Sequence, residues 1–134
     1  MKNMIFVSLV FSMLWSALPG QAQTSEIRDT IAGQIDAFQR DDFETAFTYA
    51  SPSIKRIFGN ASNFGRMVRE GYPMVFRPAG MSFGGLERIS GRTVQTVFFT
   101  DASGQVFEAA YDMVETANGW QINGVAIREA DLGV

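Results

Sequence analysis

The chain has 134 residues, with 11 Lys and Arg against 14 Asp and Glu, no His, no Cys and a formal charge of -3. That length fits one domain, and 46% hydrophobic against 19% charged residues is a globular composition. The missing residue types exclude disulfides, thiolate nucleophiles, Ser-His or Cys-His triads and Cys/His zinc sites, and the acidic balance gives no broad attraction to nucleic acid or an anionic membrane.

Lys2 is the only early charge, and residues 4–18 then read MIFVSLVFSMLWSAL, with Ser the only polar interruption. Pro19-Gly20 breaks the run, and Gly20 and Ala22 form a small-x-small site for a cut after Ala22. Together these features predict a secretory signal peptide over residues 1–22. The apolar run falls short of the ~20 residues that span a bilayer, so no stable membrane anchor is expected after cleavage. The absence of Cys removes the acylation site of a lipoprotein. What is expected is one periplasmic or secreted domain over residues 23–134, held by packing rather than cross-links. Asn60-Ala61-Ser62 fits the glycosylation sequon, a tripeptide common by chance.

Residues 26–40 set Ile27, Ile31, Ile35 and Phe38 on one helical stripe, with Arg28, Asp29, Asp36 and Arg40 mostly off it. Thr24 or Ser25 is the expected cap, and Glu26 and Asp29 fall in the first turn, where the dipole favours acids. Gly33 weakens the helix centre by ~1 kcal/mol against Ala, which points to close packing there. Asp41-Asp42-Phe43-Glu44 reads as a capping box, Asp41 the cap and Glu44 its partner, opening a second helix that buries Phe43, Ala46, Phe47 and Ala50. Ser51-Pro52 is the cap and first-turn Pro of a third, with Ile54, Ile57 and Phe58 along it and Gly59 ending it. The fourth, SNFGRMVREG, brings Phe64, Met67 and Val68 to one side and stops at Gly71.

After Pro73 the period changes. Met74-Val75-Phe76 reads as a short extended stretch, and residues 81–91 as a strand broken by a bulge at Gly84-Gly85. TVQTVFFT, residues 93–100, is a β-branched and aromatic run and predicts a strand. A hairpin connection follows at Asp101–Gly104. Residues 105–115 then alternate, with Phe107, Ala109, Tyr111 and Met113 facing one way. Asn118-Gly119 is a hairpin signal, and the last strand is expected from Trp120 to Ile127. Helices first and antiparallel strands after is the α+β pattern, in one domain.

That order resembles the cone-shaped NTF2-like (SnoaL-like) fold, in which N-terminal helices pack on a curved, mostly antiparallel sheet of three to five strands. More narrowly, QIDAFQRDDFETAFTYASPSI at 34–54, IFGNASNFGRMVREGYPMVFRP at 57–78, DASGQVFEAAYDM at 101–113 and NGWQINGV at 118–125 resemble the uncharacterised DUF4864 family. The resemblance implies a small exported domain, often alphaproteobacterial, and implies no reaction. Many members of that family carry a Cys near the position of Val125, which this chain lacks.

The mouth of such a cone, between helices and sheet, is often a ligand pocket. Tyr49, Tyr72, Tyr111, Gln95 and Phe107 are its candidate lining residues. Enzymes of similar fold, such as ketosteroid isomerases, pair a buried Asp base with a Tyr. Asp36 is the weak candidate for that base, although a boundary salt bridge is the simpler role for it. Asp112 alternates away from Tyr111, which weakens that pair. Arg66, Arg69 and Arg77, near Lys55 and Arg56, are candidates for binding a carboxylate or phosphate. No acidic cluster has calcium-loop spacing, no glycine run is a nucleotide loop, and no cofactor is expected. Val94, Thr96 and Phe98 on one side and Val97 and Phe99 on the other suggest that both sheet faces are covered, the outer one by a homodimer.

The sequence therefore favours a non-catalytic exported domain that binds a small apolar ligand in its cone or a protein partner through its sheet. The alternatives are a His-free lyase or isomerase working by Asp and Tyr, and a purely structural domain without a pocket.

Overall fold

In the computed structural model, residues 19–131 are described; the apolar run of the predicted signal peptide lies outside them. The elements, in chain order, are α1 (Pro19–Gln39), α2 (Phe43–Thr48), α3 (Pro52–Phe58), α4 (Ala61–Gly71), α5 (Pro73–Phe76), β1 (Gly80–Ile89), β2 (Arg92–Thr100), β3 (Val106–Thr116) and β4 (Gly119–Glu129). The strands form one antiparallel sheet in the order β1-β2-β3-β4. The fold is α+β, as the sequence order implies.

The α1 stripe is buried as its spacing requires, with Ile27, Ile31 and Phe38 at 0% exposure. The helix starts earlier than expected, at Pro19 rather than after Thr24, whose hydroxyl donates to Gly20 O at 2.9 Å inside the helix. Pro at a first helical position loses no hydrogen bond, so the helix extends back to it. Gly33 meets the expectation of close packing. A Cβ there would lie 2.5 Å from the Tyr49 hydroxyl, so α1 and the end of α2 approach through the space glycine leaves.

Two local readings are corrected. The cap of α2 is Asp42, not Asp41: its carboxylate accepts from Thr45 N at 3.1 Å and from the Thr45 hydroxyl at 2.7 Å. Asp41 instead takes a left-handed turn at φ 55° and pairs with Arg77 at 2.7 Å. Met74-Val75-Phe76 is helical rather than extended. Pro73 occupies the first turn, and Val75 N and Phe76 N both donate to Tyr72 O.

The Asp42 cap gives a pH prediction. Hydrogen bonds from the Thr45 side chain and backbone hold its carboxyl below the ordinary 3.8. The unfolded chain then binds the proton more readily, so the cap's contribution is complete above that ordinary value. It is lost as pH falls through the depressed folded value. Asp42→Asn is therefore expected to lower the unfolding temperature at pH 7, with the gap to wild type narrowing below about pH 4. Thermal melts at pH 7 and pH 3 check it.

The Ser51 cap of α3 follows the sequence, whereas α4 begins at Ala61, ahead of the stretch read for it, with Asn60 as its cap. Ser51 Oγ accepts from Ile54 N at 3.3 Å, and Asn60 Oδ1 accepts from Asn63 N at 2.8 Å. The sequon asparagine is thus a helix cap. Ser51 N donates to Ile122 O and Ile122 N to Tyr49 O, which ties the α2–α3 junction to β4. This stitch sets α3 beside the sheet.

The sheet's inner face is buried along β2 by Thr93, Gln95, Val97 and Phe99, and along β3 by Ala109, Tyr111 and Met113. The bulge read at Gly84-Gly85 is present as a register shift between Phe83 and Leu86. A second shift falls between Asp112 and Met113. Such shifts bend a strand and sharpen its twist. Against the inner face the helices pack an aromatic cluster in which Phe38 lies 5.8 Å from Phe64 and 5.9 Å from Phe76 between ring centres.

Candidate functional site

A cavity of about 580 Å³ lies between the helices and the β3–β4 half of the sheet. That volume is within the ~300–1,000 Å³ range of small-molecule sites. Its helical wall is Phe38 of α1, Ile54 and Phe58 of α3, and Phe64, Met67 and Val68 of α4. The α4 residues recur at helical spacing, so one face of that helix serves both core and cavity. The sheet wall is Tyr111, Ile122, Val125 and Ile127. Tyr111 and Val125 are cross-strand partners, so both project inward. Ile57 lines the cavity while 71% exposed, which puts it at the opening.

Among the described residues, the wall carries no Asp, Glu, Lys or Arg, and its polar side chains are Gln34, Tyr72 and Tyr111. Gln34 donates to Ala46 O at 3.1 Å. Tyr111 is fully buried, and its hydroxyl has no hydrogen-bond partner among the described residues. Burial pushes its phenol above the ordinary value of 10. The group therefore stays neutral and can donate a hydrogen bond, but it cannot serve as a base near neutral pH.

Of the sequence candidates for the pocket, Tyr72 and Tyr111 meet at this cavity and the other three do not. Tyr49 packs on Gly33 and borders a separate polar cleft with Glu26, Asp29, Lys55 and Trp120. Gln95 is buried under β1, where its Nε2 donates to Gly84 O at 2.9 Å and to Thr96 O at 2.8 Å. Phe107 packs at the edge of the core, opposite Glu129. Strand alternation put Phe107 on an inner face but could not say which part of the sheet the helices leave uncovered.

Asp36 is on the exposed side of α1 in an ion pair with Arg40 at 3.1 Å, the boundary role the sequence suggested. Asp112 is partly buried and pairs with Arg92 at 3.1 Å, facing away from Tyr111. The three arginines do not converge. Arg66 donates to Asn63 on its own helix, Arg77 to Asp41 and Gln39 O, and Arg69 is exposed on the α4 side opposite Phe64 and Val68. Among the described residues, no group of three or more Asp and Glu side chains is placed to hold a metal ion.

Sequence reasoning missed Gln34. It falls three residues after Ile31 and four before Phe38, on the buried side of α1, and a polar residue at that position was the available signal.

With helices, sheet and cavity in place, the chain can be compared with known proteins. The family model described as "Domain of unknown function (DUF4864)" matches residues 20–132. The chain belongs to the DUF4864 family. No curated protein and no solved structure matches it. The DUF4864 match spans every element that builds the cavity, from α1 to β4. Among the described residues of this DUF4864 chain, no helix is long and apolar enough to cross a membrane.

Proposed function

We propose that this protein is a non-catalytic binding module that holds a small apolar ligand in the cavity between its helices and sheet. The observation that carries the reading is the cavity wall, built mainly from Phe, Ile, Val and Met with no charged side chain among the described residues. Ligand pockets share that make-up, apolar with a few polar groups that fix orientation. Catalysis by an Asp–Tyr pair needs an acid within hydrogen-bond reach of the reacting group, and the wall offers none. The carboxylates whose pKa departs from the ordinary value, Asp42 and Asp101, are shifted downward at a helix cap and a turn.

We read residues 1–22 as an export signal, so the module works in the periplasm or outside the cell. The helices-over-sheet arrangement is read as an NTF2-like cone with its mouth at Ile57. A second copy packed on the outer sheet face is a further reading, favoured by the half-buried Val94, Phe98 and Ala110 on the side away from the helices.

Two measurements test ligand binding. Native mass spectrometry of protein purified without organic extraction is expected to show a co-purified small molecule. A neutral naphthylamine dye is expected to gain fluorescence on binding and to be displaced by apolar compounds. No co-purified mass and no dye binding together would retire the proposal in favour of a purely structural domain.

A further inference from the structure

Burial grades the lining of the cavity into a floor and an opening. Phe38, Ala50 and Ile122 are buried, as are Gln34 and Tyr111, and these residues close the floor. Ile57, 71% exposed, and Gly71, also exposed, mark the opening. An occupant therefore keeps one end in protein and the other in water. The volume, about 580 Å³, is mid-range for a single small molecule.

The floor offers that inner end little to bond. The Tyr111 hydroxyl is sealed even from water, so no ligand atom reaches it. Gln34 spends its Nε2 on Ala46 O. With no charged side chain in the lining among the described residues, a carboxylate or hydroxyl carried to the floor would give up its hydration for little in return. Hydrocarbon fits there.

The opening differs in charge. Residues 45–69, which include α3 and most of α4, hold Lys55, Arg56, Arg66 and Arg69 and no acid, in a chain of net charge -3. Arg56 precedes Ile57 on α3, is exposed, and donates to the neutral Ser53 Oγ at 3.2 Å. Glu70 sits beside Gly71, so the positive side of the opening is the α3 side.

We infer that the ligand is a single-chain amphiphile whose alkyl tail fills the cavity and whose anionic head, a carboxylate or phosphate, stays at the opening beside Arg56. This rests on the cavity being a binding site, and it names the class of molecule bound there.

The test displaces the neutral dye at pH 7.5 with probes that share a decyl chain: decanoate, decyl phosphate, decylammonium and ω-hydroxydecanoate. Decanoate or decyl phosphate is expected to bind at least about fivefold more tightly than decylammonium, the scale of exposed charge contacts. The tighter of the two names the head. That preference is expected to shrink in Arg56→Glu and in about 1 M salt. ω-Hydroxydecanoate is expected to bind about tenfold more weakly than decanoate, because its second polar end must enter the floor. A water-soluble gadolinium chelate is expected to broaden the carboxylate carbon-13 signal of bound decanoate and to spare its terminal methyl, a reading that needs no variant.

Decylammonium matching both anions, ω-hydroxydecanoate matching decanoate, a preference untouched by both Arg56→Glu and salt, or a terminal methyl broadened as strongly as the carboxylate would each overturn the inference while leaving the cavity a ligand site. The same holds if the dye binds and no decyl probe displaces it. If the dye itself does not bind, the binding reading fails and takes this inference with it.

Discussion

Replacing Phe38 with Ala is expected to destabilise the protein by about 3–5 kcal/mol, a large share of the roughly 5–15 kcal/mol that holds a typical domain together. Phe38 is 0% exposed, and its ring meets Phe64 of α4 and Phe76 of α5 at 5.8 and 5.9 Å. One side chain therefore joins α1 to α4 and α5. Truncation removes the apolar burial and also leaves a hole that its neighbours fill only in part. Phe38 already borders the cavity, so the new space merges with it rather than closing. Urea unfolding reads the loss as a lower midpoint at unchanged slope. Ile57→Ala is the control: at 71% exposure, its change is expected within about 0.5 kcal/mol. A loss under about 1 kcal/mol for Phe38→Ala would mean that the helical layer closes over the gap, against the close packing normal for a core.

Phe38 was visible in the sequence because local physics places it. Its distance from Ile27, Ile31 and Ile35 defines a stripe whatever the rest of the chain does. The same holds for Ser51 before Pro52, and for Gly84-Gly85 at the β1 bulge, where backbone preference decides the outcome. The misses came where two local solutions compete. Asp41 and Asp42 are both good caps, and the choice fell to Asp42 because Arg77, distant in sequence, holds Asp41 in its left-handed turn. Met74-Val75-Phe76 has the composition of a strand, yet Pro73 and the Tyr72 carbonyl close one helical turn around it. The cavity was legible only by class. Alternation told which side of β3 Tyr111 faces, but not that α3 and α4 stand off β4 enough to leave a space. That depends on the Ser51–Ile122 stitch between an early loop and the last strand, a long-range contact with no local signature.

The same space gives the second large effect. Val125→Trp is expected to abolish ligand binding, with a loss of at least about a hundredfold, while leaving the fold intact. Val125 pairs with Tyr111 across the strands, faces inward, and lines the cavity without being fully buried. An indole there extends into open volume rather than into packed neighbours. The usual overpacking cost of about 1–3 kcal/mol applies to close-packed sites and is largely avoided. Burying the added aromatic surface even offers a gain, at roughly 25 cal/mol per Å². The unfolding temperature should therefore hold or rise while dye binding disappears. That combination separates a filled site from a damaged fold, because a misfolded variant would lose both. Preserved binding in a stable Val125→Trp protein would place the ligand elsewhere, and the polar cleft around Trp120 and Tyr49 would be the next surface to probe.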